Sequence, residues 1–360
     1  MTIRYRFPLM ALGLLALLSA LWGGLVRLGW ELPSIQPQLA AVHGPLMISG
    51  FLGTVIGLER AVAMGRTWAY AGPLLSGVGA LTLIGGLPGG AGPLSMAAAS
   101  LVLVVVFVTI VLRQPTLFAA IMGLGALAWL TGNLLWIEGW PIYRIVPWWA
   151  GFLILTIAGE RLELARLGSL SGTSRSMIAL IVGLLLCGLV LTTVSFDVGM
   201  RLAGAGMIML ALWLMRHDIA RRTVRQSGLT RFIAVCLLSG HVWLGVGGVL
   251  AVLFGGVAAG PRYDAVLHAL FLGFVFSMIF GHAPIIFPAV TGIPIVFRPG
   301  FYLHLVLLHL TVFLRMAGDL AGWMAGRQWG GLLNAVAVLL FLINTGTAMF
   351  KSAPTPGAMR

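Results

Sequence analysis

Apolar runs of about eighteen residues or more recur from one end of the chain to the other, separated by short polar stretches. A helix rises about 1.5 Å per residue, so each run is long enough to cross about 30 Å of hydrocarbon. In order, they predict twelve spans, at 8–28, 41–63, 68–86, 93–112, 116–137, 146–162, 176–195, 199–215, 231–254, 265–288, 300–320 and 329–350. The longest polar segment is only Arg216 to Arg231, which leaves no room for a soluble domain. The expected fold is an all-α polytopic membrane protein, a single transmembrane helical domain over residues 1–360.

One run departs from the pattern. Leu267 to Thr291 is apolar enough to span, yet it carries His268 and His282. Fourteen residues of α-helix turn through about 1400°, about 40° short of four turns, and rise roughly 21 Å. Both imidazoles are therefore expected on one face, one near each side of the membrane. Ionisable groups within a span are costly and point to function. Pro284 and Pro288 follow His282 closely, and they are expected either to break the helix beside a ligand pocket or simply to end it.

Six of the seven histidines fall within spans; His217, beside Asp218 in the basic loop, is read as solvated. By depth, His43 at the start of the second span is level with His268, and His282 with His304. His241 and His309 fall near mid-membrane. His304 and His309 stand about 140° apart on their helix and so serve different neighbours. One neutral imidazole from each of two helices at equal depth is what a b-type haem needs, with the second ring nitrogen held by an acceptor. His43 with His268 is the first pair expected. His282 is expected to be joined by His241, His304 or His309 at a second metal or haem centre. Gly44, Gly50, Gly53, Gly240, Gly273 and Gly281 lie where a flat macrocycle could approach the backbone.

Composition agrees with the membrane class: 60% of residues are hydrophobic, 9% are charged, and mean hydropathy is +1.05. The net charge of +13 would suggest nucleic acid in a soluble protein. Here the basic residues gather in alternate short loops, sixteen on one side against six on the other. That asymmetry excludes a nucleic-acid partner and predicts both termini in the cytoplasm of a bacterial inner membrane. Trp30, Trp136, Trp140, Trp148 and Trp149 would form the outer aromatic belt. Cys187 and Cys236 lie in apolar runs without a CxxC or CxxCH context, so covalent haem, a zinc ribbon and a disulfide framework are unsupported. The first apolar run is too long for a signal peptide and is read as an anchor.

Two stretches resemble each other: GFLGTVIGLERA from Gly50 and GFLILTIAGERLEL from Gly151. Either a unit beginning near 41 and again near 146 is duplicated, or small residues and terminal charges have converged. Arg27 with Glu31 and Arg315 with Asp319 are spaced i, i+4, which suits local ion pairs. Alternatively, Arg27 or Arg315 meets an anionic group such as a haem propionate.

Several stretches resemble the NnrS family of haem- and copper-containing bacterial membrane proteins: HGPLMISGFLGTVIG from His43, FLILTIAGERLEL from Phe152, and HALFLGFVFSMIFG from His268. The last is also similar to histidine-bearing helices of the catalytic subunits of haem-copper oxidases and nitric oxide reductases. The resemblance implies one or two b haems, with copper as a further candidate, and a role with nitric oxide or redox stress. Nitric oxide or another diatomic gas would be the ligand, and a quinol or cytochrome the electron donor. It carries ligand roles onto His43 and His268 only. There is no His-His pair and no His-Pro-Glu-Val-Tyr run, so an oxidase-type copper site is not visible. A haem-bearing oxidoreductase or electron-transfer protein is thus one reading. A proton-coupled secondary transporter with a histidine relay is the other, opposed by the lack of a mid-membrane carboxylate.

Overall fold

The computed structural model describes residues 3–33, 36–165 and 170–350. Among these residues, twelve helices are long and apolar enough to cross a membrane. These spans, numbered 1 to 12 in chain order, are Arg6–Arg27, Leu39–Met64, Thr67–Ile84, Ala91–Arg113, Leu117–Ile137, Ile142–Ala165, Gly172–Val194, Phe196–His217, Gly228–Phe254, Pro261–Thr291, Phe301–Ala321 and Met324–Phe350. Their ends lie within five residues of the runs read from hydropathy. No strand occurs among the described residues. The chain is a multi-pass helical membrane protein. Arg166, Lys351 and Arg360, which enter the charge asymmetry, lie outside the described residues.

Short loops pack consecutive spans against one another as antiparallel neighbours: 3 on 4, 4 on 5, 5 on 6, 7 on 8, 8 on 9 and 11 on 12. Small residues set the closest approaches. A Cβ on Gly204 of span 8 would stand 2.7 Å from the Gly248 carbonyl oxygen of span 9, and a Cβ on Gly248 equally close to that of Gly204. Spans 6, 10 and 2 are buried over 83, 72 and 61% of their apolar stretch, against at most 50% in the other nine. These three form the axis of the bundle, and they carry His43, His268 and His282.

Two of the axial spans are not α-helical throughout. Leu46–Leu52 in span 2 and Ala269–Phe276 in span 10 are π-helix, beginning three residues after His43 and one after His268. Wide turns of this kind are rare and gather at functional sites. Hydroxyls brace them. Ser76 donates to the Ser49 carbonyl within the first π segment, and Ser277 donates to the Gly273 carbonyl in the second at 2.6 Å. Behind Ser49 lies a buried polar network. Trp129 donates to the Ser49 hydroxyl at 2.9 Å, Trp149 to Asn133 Oδ1 at 3.0 Å, and Asn133 to the Met96 carbonyl at 3.1 Å.

The π segment changes the expectation for span 10. Eight of the residues between His268 and His282 are wound more widely than in an α-helix, so α-helical phase does not carry from one imidazole to the other. Nor do the prolines break the span: α-helix runs on through Pro284 and Pro288 to Thr291, ending at left-handed Gly292, φ 73°.

Candidate functional sites

His43 and His268 line one cavity of about 410 Å³, enclosed by spans 1, 2, 6, 10, 11 and 12. Each ring is tied to a backbone carbonyl, and His268 Nδ1 also lies 3.3 Å from the Asp264 carboxylate. His43 Nδ1–H donates to the Ala20 carbonyl at 2.6 Å, and His268 Nδ1–H to the Asp264 carbonyl at 2.8 Å. A carbonyl only accepts, so the proton sits on Nδ1 and each Nε2 keeps its lone pair. Neither Nε2 has a hydrogen-bond partner among the described residues. Gly24 makes room for the first ring, since a Cβ there would stand 2.8 Å from His43 Cε1. Of the glycines proposed to admit a macrocycle, only Gly44 faces open space. Gly53, Gly240, Gly273 and Gly281 pack against Trp129, Met278, Trp243 and Cys236, and Gly50 against Ala16 and Ala80.

Arg27, Arg315 and Arg327 also line this cavity. The local pairing expected of Arg315 with Asp319 gives way to a longer-range one. Arg315 donates Nε and Nη2 to Asp264 Oδ2 at 3.0 and 2.8 Å, across 51 residues of chain. Asp319 pairs instead with Arg327 at 2.9 Å, and Arg327 also approaches Asp264 at 3.7 Å. Arg27 has no carboxylate within ion-pair distance among the described residues, so the expected pair with Glu31 is not formed. Three arginines thus face two carboxylates, leaving an excess positive charge on the wall. These residues fit a b-type haem: two free Nε2 atoms on one cavity, and cations for its propionates.

The other end of the bundle is arranged differently. His282 Nδ1–H donates to the Met278 carbonyl at 2.7 Å, and Arg161 Nη2 donates to its Nε2, also at 2.7 Å. Both ring nitrogens are used, and the guanidinium would repel a cation. The expected companions have other partners. His304 is enclosed by Phe232, Phe280, Phe301 and Phe341, with Nδ1 accepting from Asn344 at 3.1 Å. His309 Nδ1 accepts from Trp243 Nε1 at 2.9 Å. His241 is fully buried, its Nε2 3.5 Å from Asp218 Oδ2. Among the described residues, no three His, Cys, Asp or Glu side chains gather to hold a metal ion. As placed, His282, His241, His304 and His309 do not fit a second metal centre.

Residues 6–350 match a family described as Domain of unknown function (DUF8744). The chain belongs to the DUF8744 family. No curated protein matches it.

In this DUF8744 member the two similar Gly-Phe-Leu stretches meet through their Glu-Arg pairs. Arg60 bonds Glu59 at 3.0 Å and also bonds Glu160, while the neighbouring Arg161 holds His282. Arg161, read in the sequence as a charge at the inner end of its span, is 4% exposed. Asp218 folds back from its loop into the bundle and is buried, whereas His217 is half-buried and stacks on Trp213. Burial raises the Asp218 carboxyl above its ordinary range, opposed by Arg161 and by the hydrogen bond from the Ala220 N–H at 2.9 Å. Neither group announces itself in the sequence, because an interior Arg or Asp near a span end reads as an ordinary boundary charge.

Proposed function

We propose that the chain is a haem-binding protein of the bacterial inner membrane, with both termini cytoplasmic and one b-type haem held between His43 and His268. The supporting observation is that both Nδ1–H groups are committed to backbone carbonyls while both Nε2 lone pairs are left for one cavity. The Ala20 and Asp264 carbonyls fix the ring orientation and raise the basicity of Nε2. Arg27, Arg315 and Arg327 supply the positive wall suited to propionates. A haem bound here would supply one-electron chemistry. Two histidine ligands favour electron transfer over gas capture, and the NnrS resemblance suggests nitric oxide or redox stress as its setting. Copper has no gathered donor set among the described residues and is not part of the proposal.

The test is a reduced-minus-oxidised spectrum of protein expressed with ample haem, with haem quantified as the pyridine haemochrome. One haem per chain is expected, lost in His43→Ala and in His268→Ala but retained in His282→Ala. A folded, colourless protein overturns the reading. The case would then pass to a proton-coupled transporter, which the half-buried Glu59–Arg60–Glu160 and buried Asp218–His241 groups favour. Its signature is substrate-dependent proton flux in proteoliposomes.

A further inference from the structure

A second cavity, of about 440 Å³, lies at the Glu59 end among spans 1, 2, 6, 10 and 12. The haem reading makes no use of it. Its walls are largely apolar, and Phe51, Phe287 and Phe341 offer aromatic rings to a flat occupant. Its polar lining includes Glu59, Glu160 and His282, yet no arginine or lysine reaches it among the described residues. The nearby cations are engaged, Arg60 with the two glutamates and Arg161 with His282. An anionic head such as a fatty acid or a phosphate would therefore meet carboxylates with no cation to receive it.

Two lining hydroxyls sharpen the choice. Thr54 returns its hydroxyl to the Gly50 carbonyl at 2.6 Å, as threonines in apolar helices do. Thr156 and Thr345 do not: they are 2 and 4% exposed, and neither hydroxyl has a hydrogen-bond partner among the described residues. Exposed Phe7 and Leu14 of span 1 form the flank on which the cavity meets the lipid. Orphaned hydroxyls, aromatic walls and carboxylates without a free cation suit a neutral, lipid-soluble ring carrying hydroxyl or carbonyl oxygens. We infer that this cavity binds a quinol or quinone, with its oxygens towards Thr156 and Thr345 and its chain leaving towards the membrane.

The experiment titrates decylubiquinone into the full-length protein in nanodiscs and follows equilibrium binding, with palmitate as competitor. Haem content is read on the same sample, so this inference and the haem proposal fail separately. Saturable binding is expected, insensitive to palmitate and weakened about tenfold in a Thr156→Val, Thr345→Val double variant. Valine keeps the shape and removes only unpartnered hydroxyls, so the variant is expected to fold, as size-exclusion chromatography would show. Absence of saturable binding by folded protein, undiminished binding in the double variant, or equal competition by palmitate overturns the inference.

Discussion

Phe51 stacks on Phe276 with ring centroids 6.3 Å apart and planes 27° from parallel. Each phenylalanine lies eight residues beyond a histidine of the first cavity, and each sits in the π segment that follows that histidine. Phe51 lines the second cavity and Phe276 the first, so the stacked rings stand between the two. Spans 2 and 10 therefore meet as a pair at the partition. A double-mutant cycle of Phe51→Leu and Phe276→Leu is expected to show about 0.5–1.5 kcal/mol of coupling, the size of an aromatic pair beyond simple burial. Strict additivity in unfolding measurements would show that the rings do not act together.

Gly24 controls the placing of His43. Alanine in the middle of a helix usually gains about 1 kcal/mol over glycine. Here its Cβ would stand 2.8 and 2.9 Å from two ring atoms, and the ring is tied to Ala20 on the same span. The clash should win, with Gly24→Ala costing about 1–3 kcal/mol and displacing the imidazole from the cavity. On the same span, a Cβ at Gly13 would meet Thr54 at an ordinary 3.4 Å. Gly13→Ala should therefore be neutral or stabilising. Haem content and thermal unfolding of the two variants should separate; equal behaviour would remove Gly24 from the site.

Asp264 is the acceptor that holds the arginine wall together. Removing one partner of a buried ion pair leaves an uncompensated charge, at about 3–5 kcal/mol. Asp264→Ala strips Arg315, which is 7% exposed, of the one carboxylate within ion-pair distance among the described residues. Asp319→Ala should cost less, because Arg327 still approaches Asp264 at 3.7 Å. The His268 ring bonds the backbone oxygen of Asp264 at 2.8 Å, which alanine keeps, although the ring loses the Asp264 carboxylate that stands 3.3 Å from Nδ1. The Asp264 variant should therefore lose stability well before it loses haem. Haem loss with unchanged stability would place the carboxylate in the ligand shell instead.

Much of this was readable from the residues. Hydropathy gave the twelve spans because crossing hydrocarbon constrains length and composition directly, and depth alone set His43 level with His268, which line one cavity. What escaped it depends on contacts between distant segments. The i, i+4 spacing of Arg315 and Asp319 suggested a local pair, but Arg315 bonds Asp264 on a neighbouring helix. His282 looked like a ligand until Arg161, 121 residues earlier, was found on its lone pair. The π segments leave no local signature either, because Ser76 and the Trp129–Asn133 network that brace the first of them come from other spans.

Asp218 supplies a pH dependence whose sign can be worked out. Burial raises its carboxyl above the ordinary value of about 3.9, so the folded protein holds this proton more tightly than the unfolded chain. The stabilisation is complete below the unfolded value and is lost as pH rises through the folded one. Asp218→Asn removes that loss while keeping an oxygen for the Ala220 N–H, which Oδ1 accepts at 2.9 Å. Relative to the parent, the variant should gain stability as pH rises from about 4, levelling off above the raised value. The opposing pull of Arg161 limits the gain, since asparagine offers that cation no charge. Unfolding temperatures of both proteins between about pH 4 and 8 provide the measurement. A constant difference across that range would mean that Asp218 titrates as it does in the unfolded chain and that its burial has no energetic consequence.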